Sequence, residues 1–243
     1  MSERMIDQAR RLAADLLPDA LAVLLAGSAA AGRATATSDL DLAVLVVEGG
    51  STHRRTIRHE GRPVELFVHT EAGLAELRAA DASSRRAVIQ SMYATGLLLV
   101  DPHGHGARAR EHALADLRQG PPALDAEVVD TVRYGLTDLL DDLADAEDPY
   151  ERLAVAGHVL ASAADLLCDH RRAWLGGGKW LPRRLLEADG ELGAALLEGH
   201  RLLCASGEGE PLALAARRVL DLVGGPLSEG YRREWRGAIV RTV

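Results

Sequence analysis

The spacing of apolar positions along the chain predicts a change of architecture near residue 100. A helix over residues 3–17 precedes short apolar runs at 21–26 and 39–47, which are typical of buried strands, and an alternating run at 63–69 follows them. Beyond this part, long segments of helical periodicity succeed one another with Gly and Pro between them. The pattern therefore favours a mixed domain followed by a helical one.

The other elements complete this division. In the first part we predict strands at 53–60 and 97–100 and helices at 71–79 and 82–95. The second part is predicted to contain helices at 106–118, 123–146, 149–175, 181–205, 210–223 and 227–241. The predicted fold class is an α/β (α+β) N-terminal domain, residues 1–105, with a small mixed β-sheet, and an all-α helical-bundle C-terminal domain, residues 106–243.

Composition narrows the range of partners. Aromatic residues make up only 3% of the chain, so Leu, Val and Ala must fill the core, and the net charge is -8, with most of the acidic excess in the second half. An acidic chain is poorly suited to the phosphate backbone of a nucleic acid, so no nucleic-acid partner is expected. A cationic small molecule is better matched to this charge.

The sequence also predicts a cytoplasmic protein without a membrane partner. The first 20 residues lack the continuous apolar stretch of a signal peptide, and the longest apolar run, residues 21–31, is too short to span a bilayer. Cys168 and Cys204 form no CxxC motif and no Cys/His cluster. We interpret them as reduced thiols and expect no zinc site.

Three acidic residues form the candidate chemistry. Asp39 and Asp41 begin the second apolar run, and side chains at positions i and i+2 of a strand share a face, about 7 Å apart. In the alternating run, Glu65 lies on the face opposite Val64 and Leu66. If the two strands are neighbours, three carboxylates meet. Their hard oxygens suit two Mg²⁺ ions and phosphoryl or nucleotidyl transfer.

Each acid also has an ordinary structural interpretation. An Asp-x-Asp pair by itself most often caps an element or lies at a solvated strand end. Glu65 alone could be an edge-strand residue that faces water. The metal-site interpretation therefore depends on the segment before Asp39.

That segment, from Gly27 to Asp41, reads GSAAAGRATATSDLD. Gly27 permits close backbone approach, and Ser28 offers a hydroxyl and an amide where a helix can begin, an arrangement that binds anions. Gly32 and a run of small residues follow, and Ser38, which we count among the nucleotide-binding residues, directly precedes the first Asp. As a whole, the segment resembles the signature of the DNA polymerase β-like nucleotidyltransferase superfamily.

The resemblance implies a function for each of these positions. Gly27 and Ser28 would hold the β- and γ-phosphates of an NTP, Asp39 and Asp41 would bind Mg²⁺, and Glu65 would be the third acid. It also implies a small mixed sheet with flanking helices for the first hundred residues. The helical second half loosely resembles that of aminoglycoside and lincosamide nucleotidyltransferases and of minimal nucleotidyltransferases.

Lys179 is the single lysine of the chain, in the segment GGGKWLPRR that begins at Gly176. The glycines permit close backbone approach, and Lys179, Arg183 and Arg184 gather positive charge in an acidic half. The segment is not a Walker A loop, but it resembles a Gly-Lys-Trp-Leu segment of several small-molecule nucleotidyltransferases. We interpret Lys179 and Arg183 as triphosphate-binding residues. The alternative is a turn between helices in which the lysine is incidental.

A polar stripe on the predicted helix 149–175 is the candidate acceptor-binding surface. His158, Ser162, Asp165 and Asp169 are spaced four, three and four residues apart among Ala, Leu and Val. The stripe either lines a cleft or forms a hydrogen-bonded seam between helices. The preceding helix carries a second acidic set, interpreted as a solvated face: Asp138, Asp141, Asp142 and Asp145.

The predicted function is transfer of an NMP, AMP as the first choice, from ATP or another NTP to a hydroxyl of a small, cationic acceptor, with two Mg²⁺ ions and release of pyrophosphate. An antibiotic of the aminoglycoside or lincosamide kind is the first choice of acceptor, which would make the chain an antibiotic-resistance enzyme. Nucleotidylation (AMPylation) of a protein partner, as in toxin–antitoxin pairs, is the alternative, and a non-catalytic nucleotide-binding module is a third. A homodimer is expected because members of the resembled superfamily often pair.

Overall fold

The computed structural model describes residues 2–234, and the chain forms two compact units that divide between Pro121 and Pro122. The sequence pattern places this boundary after residue 105. The difference is the helix His105–Gln119, whose Ala109 and Ala113 are buried against the sheet of the first unit. Helical periodicity identifies this segment as a helix but does not show which unit it packs on.

Within residues 2–234, five strands of the first unit form one mixed sheet. They are β1 (Ala22–Ala26), β2 (Leu40–Leu45), β3 (His53–His59), β4 (Arg62–His69) and β5 (Leu97–Val100), in the spatial order β3-β4-β2-β1-β5. β2 and β4 are parallel, and the other neighbouring pairs are antiparallel. The predicted small mixed sheet is confirmed.

Helices cover both faces of this sheet. They are α1 (Ser2–Leu16), the short α2 (Gly27–Ala30), α3 (Glu71–Ser83), α4 (Val88–Thr95) and α5 (His105–Gln119). Met5 and Leu12 of α1 are buried on one face, and Leu74 of α3, Tyr93 of α4 and Ala113 of α5 on the other. Because β1 and β2 lie between these layers, nearly all their residues are buried, which explains their continuous apolar sequences.

The second unit is all-helical in its described part, as predicted. Its helices are α6 (Ala126–Asp145), α7 (Pro149–His170), α8 (Leu181–Ala188), α9 (Gly190–Ser206) and α10 (Glu210–Leu222). Leu and Ala side chains from all of these helices form its core, including Leu136, Leu167, Leu185, Leu196 and Leu220. No helix among the described residues has the length and apolar character needed to cross a bilayer.

The single helix predicted over 181–205 is wrong, because the structure contains α8 and α9. The carboxylate of Asp189 accepts hydrogen bonds from the backbone N–H groups of Glu191 at 3.1 Å and Leu192 at 2.9 Å, and so begins α9. Apolar residues continue on both sides of Asp189. Periodicity alone therefore does not reveal the break.

Other predicted helices also differ from those in the structure. The helix predicted over 149–175 ends at His170, since Arg172 adopts a left-handed φ of 54°. The one predicted from residue 82 begins at Val88, after Arg85 and Ala87 adopt φ values of 62° and 53°. Residues 227–234 contain no helix, and the rest of the helix predicted over 227–241 lies outside the described residues.

Candidate metal centre

Asp41 has a neighbouring strand on each side. Its backbone lies opposite Ala26 of β1 and opposite Glu65 of β4. Leu40 and Leu42, on either side of Asp41, are fully buried in the layer that contains α1. Because side chains alternate along a strand, Asp41 lies on the other face. The strand pairing on which the three-acid site depends is therefore present, and it places Asp41 and Glu65 side by side.

Asp39, directly before β2, completes the cluster. One carboxylate oxygen from each of Asp39, Asp41 and Glu65 lies within 4.8 Å of the other two, and all three residues are partly exposed. Among residues 2–234, no other group of three or more Asp, Glu, His or Cys side chains is close enough to share a metal ion. With oxygen donors alone, the cluster suits Mg²⁺ or Mn²⁺ better than Zn²⁺.

Gly27, the first residue of α2, directly follows β1 and lies beside this cluster. Its φ of +64° lies in the left-handed region that favours glycine, and a Cβ atom at this position would lie 1.9 Å from Oδ2 of Asp41. Two separate constraints therefore require glycine here. The sequence pattern assigns Gly27 to a phosphate, and it does not indicate the contact with Asp41.

Replacing Gly27 with Ala is expected to destabilise the fold by more than about 1 kcal/mol and to weaken Mn²⁺ binding, because the new methyl group must displace the Asp41 carboxylate. Gly32→Ala is the matched control, since Gly32 has a similar φ of +68° but open space around it. Chemical unfolding and Mn²⁺ titration of both variants measure the difference. Equal losses of Mn²⁺ affinity would contradict a specific role for the approach to Asp41.

Ser38 holds the loop before β2 in place. Its hydroxyl accepts a hydrogen bond from the backbone N–H of Thr35 at 2.9 Å, and its carbonyl accepts one from Arg62 at 2.5 Å. The same guanidinium donates to the side chain of Gln8, a buried residue of α1, at 3.2 Å. Ser38, predicted to bind nucleotide, thus helps to position the acids. Sequence reasoning missed Gln8 and Arg62 because no local pattern links them to Ser38.

Arg54 of β3 is a further site residue that the sequence analysis did not identify. Its guanidinium forms an ion pair with Glu65 and lies over the ring of Phe67, 4.9 Å from the centroid. The side chain of Glu65 is 21% exposed and that of Arg54 is 61% exposed. In the absence of a metal ion, Arg54 therefore compensates part of the cluster's negative charge.

His69 lies on the same face of β4 as Glu65, farther along the strand. It is buried, and its Nδ1 lies 2.9 Å from the hydroxyl of Tyr93. Burial, with a smaller contribution from His53, lowers the pKa of His69 to about 4, and burial raises the pKa of Tyr93. His69 is thus neutral near pH 7.

The basic segment of the second unit forms a compact turn. Lys179 is exposed within a short 3₁₀ helix, Gly178–Trp180, that precedes α8. The guanidinium groups of Arg183 and Arg184 lie 4.8 Å and 5.6 Å from the centre of the Trp180 ring. Both guanidinium groups therefore make cation–π contacts with the same ring. That ring belongs to Trp180, the residue that follows Lys179 in the sequence.

The predicted acceptor stripe divides into two parts in the structure. His158 and Asp165 are exposed on α7, whereas Asp169 is partly buried and accepts a hydrogen bond from the backbone N–H of Leu124 at 2.9 Å. Asp169 therefore contacts the segment before α6, and this hydrogen bond does not itself join two helices. The four acids interpreted as a solvated face are all exposed: Asp138, Asp141, Asp142 and Asp145.

No protein-family model matches the sequence, and no curated protein matches it either. Among solved structures, the chain is similar to a nucleotidyltransferase-like protein from Exiguobacterium sibiricum 255-15. The two share 13% sequence identity and a TM-score of 0.43, and the match covers 89% of this chain and 74% of that chain. Similarity at this level leaves the function to be argued from the residues of the site.

Proposed function

We propose that this chain is a Mg²⁺-dependent nucleotidyltransferase that moves an NMP, AMP as the first choice, from an NTP to a hydroxyl group of a small acceptor. The observation that carries the proposal is the cluster of Asp39, Asp41 and Glu65, with carboxylate oxygens within 4.8 Å of one another beside Gly27. The segment from Gly27 to Asp41, with its resemblance to a nucleotidyltransferase signature, supports it.

The residues of the cluster fit divalent cations in donor type and in charge. Three carboxylates this close repel one another unless positive charge compensates them, and the ion pair from Arg54 to Glu65 offsets part of that charge. Gly27 leaves free the space beside Oδ2 of Asp41 that any other side chain would enter. Two bound Mg²⁺ ions would neutralise the phosphates of an NTP and polarise the α-phosphate.

In the proposed reaction, the acceptor oxygen forms a bond to the α-phosphorus. The bond from that phosphorus to the bridging oxygen of the β-phosphate breaks, and pyrophosphate leaves with the electron pair. Asp39 and Asp41 would hold the metal ions. Glu65 would help to hold a metal ion, take the hydroxyl proton as general base, or do both; where it only holds metal, the proton passes to solvent. Gly27 and Ser28 bind the β- and γ-phosphates, so that positioning and charge neutralisation provide most of the rate.

The proposed acceptor is a small, hydroxylated cation, with an aminoglycoside or lincosamide antibiotic as the first choice. His158 and Asp165 are exposed on α7 in an acidic unit, where a carboxylate attracts an amino sugar. Asp169 contributes by fixing the segment before α6 through its contact with Leu124.

Incubation of the full chain with Mg²⁺, α-³²P-labelled NTPs and a panel of acceptors tests this proposal. Label on an aminoglycoside or lincosamide would support it. Label on a protein would instead support the alternative, nucleotidylation of a protein partner. Failure to label any acceptor, with NTP binding retained, would indicate a nucleotide-binding module. The Asp39→Asn protein is the control, since labelling that depends on the cluster should fall about a hundred- to a thousandfold in it.

Lys179→Ala is expected to weaken NTP binding in the presence of Mg²⁺ and to leave acceptor binding unchanged. Loss of one charge-assisted contact to a phosphate should cost about 1.5–3 kcal/mol. Lys179→Arg should restore only part of the affinity, because a planar fork differs from a compact ammonium. Calorimetry with a non-hydrolysable NTP analogue measures both variants. If Lys179→Ala binds the NTP analogue as tightly as the wild type does, Lys179 does not belong to the proposed site.

A further inference from the structure

The pairing of β3 with β4 fixes the position of Arg54. Arg54 lies opposite Phe67, and Thr56 lies opposite Glu65. Since opposite residues of paired strands share a face, Arg54 is on the face that holds Glu65 and Phe67, one diagonal step from the carboxylate. Its contact with Glu65 is therefore built into the register of the sheet.

Phe67 holds the guanidinium at this place. The ring packs against the buried layer that contains Leu74 and Tyr93, and Arg54 lies 4.9 Å from its centre. A cation over an aromatic face is attracted whether or not a carboxylate is nearby. This contact does not involve Glu65, so Arg54 keeps an anchor beside the cluster when its ion pair is broken.

The charge balance of the cluster makes Arg54 a competitor of any cation. A divalent ion bound by Asp39, Asp41 and Glu65 would coordinate the same carboxylate of Glu65 that forms the ion pair with Arg54. At 61% exposure the Arg54 side chain has room to turn away from Glu65 while it stays over the Phe67 ring, whereas Glu65 is 21% exposed. Release of Glu65 would leave a positive charge anchored at the edge of a centre proposed to receive a triphosphate.

We propose that Arg54 exchanges partners when the site is loaded. In the metal-free protein it is the counter-ion of Glu65. A divalent cation displaces it, and its guanidinium then binds an anionic phosphate oxygen of the nucleotide. The inference rests on the proposed function, since it requires both the metal centre and an NTP.

Arg55 provides a matched control on the same strand. It lies opposite Leu66, whose side chain belongs to the layer on the other face of the sheet. Arg55→Met therefore removes the same unit of positive charge from β3 without removing a contact to Glu65. A comparison of Arg54→Met with Arg55→Met separates the ion pair from the general electrostatic field.

The experiment measures Mn²⁺ binding to the full chain by electron paramagnetic resonance of free Mn²⁺, and then binding of a non-hydrolysable ATP analogue at saturating Mn²⁺. Arg54→Met should bind Mn²⁺ about five- to tenfold more tightly than the wild type, because no ion pair must be broken. It should bind the analogue about tenfold more weakly. Arg55→Met should change either constant by less than about twofold.

The opposite signs of these two effects are the signature of the exchange. If Arg54→Met and Arg55→Met give the same Mn²⁺ affinity, or if the analogue binds equally well to both, the exchange is overturned while the metal centre stands. If the wild-type protein binds no Mn²⁺, the proposed function itself fails and the exchange fails with it. Arg54→Lys, which keeps the charge, should give smaller shifts in the same directions, and melting curves verify that each variant is folded.

Discussion

Asp39→Asn is expected to make the metal-free protein more stable and at the same time to reduce nucleotide transfer by about a hundred- to a thousandfold, the scale of losing one electrostatic contact to a transition state. Without metal, the Asp39 carboxylate lies within 4.8 Å of those of Asp41 and Glu65, and repulsion among the three negative charges destabilises the fold. Asn keeps the shape and removes that charge. The gain in unfolding free energy should be about 0.5–2 kcal/mol.

Two measurements on each variant decide this prediction: the melting temperature in EDTA and the rate of pyrophosphate release with Mg²⁺. Asp19→Asn is the control, because Asp19 is an exposed acid of the same unit outside the cluster. An ion-paired Asp changed to Asn behaves in the opposite way, losing stability and leaving chemistry intact. If Asp39→Asn melts lower and still transfers nucleotide, the cluster is structural and the proposed function is wrong.

His69 predicts a loss of stability in mild acid. Burial lowers its pKa in the folded protein to about 4, whereas an unfolded His titrates near 6.5. Below pH 6.5 the unfolded chain therefore binds a proton that the folded chain does not. The free energy of unfolding should fall as the pH drops from about 6.5 to about 4, by up to about 3 kcal/mol from this residue.

His69→Gln isolates this contribution, because an amide can still hydrogen-bond to the hydroxyl of Tyr93 but does not titrate over this range. Chemical unfolding of both proteins at a series of pH values should show a shallower dependence for the variant. His103→Gln, at an exposed position, should leave the slope of the wild type unchanged. The same slope in His69→Gln and the wild type would show that His69 does not control acid stability.

The strands could be predicted because short apolar runs or alternation mark them in the sequence, and alternation also predicts the face on which each acid lies. The apolar positions on either side of Asp41 and Glu65 determine which face each carboxylate takes. For the three acids to meet, β2 and β4 must also be neighbours in the sheet. The segment before Asp39 resembles a known signature, and this resemblance implies that Glu65 is the third acid.

The contacts around the acids could not be predicted in this way. Arg54 meets Glu65, Arg62 meets Ser38 and His69 meets Tyr93 across 11, 24 and 24 positions of the chain. No periodicity relates such pairs, since each depends on how separate elements dock. The break at Asp189 was missed for a different reason, because a polar cap within a run of helix-forming residues leaves the apolar spacing almost unchanged.

The parallel pairing of β2 with β4 makes the centre sensitive to strand alignment. Asp41 faces Glu65 in one alignment only, and a slip of one residue would bring Val64 or Leu66 opposite Asp41 and turn the carboxylate of Glu65 toward the layer of α1. A misaligned sheet could still be compact and rich in strand, and circular dichroism would not distinguish it. Divalent-cation affinity therefore reports whether β2 and β4 are aligned to within one residue. In a refolding mixture, it would distinguish native protein from compact misfolded species.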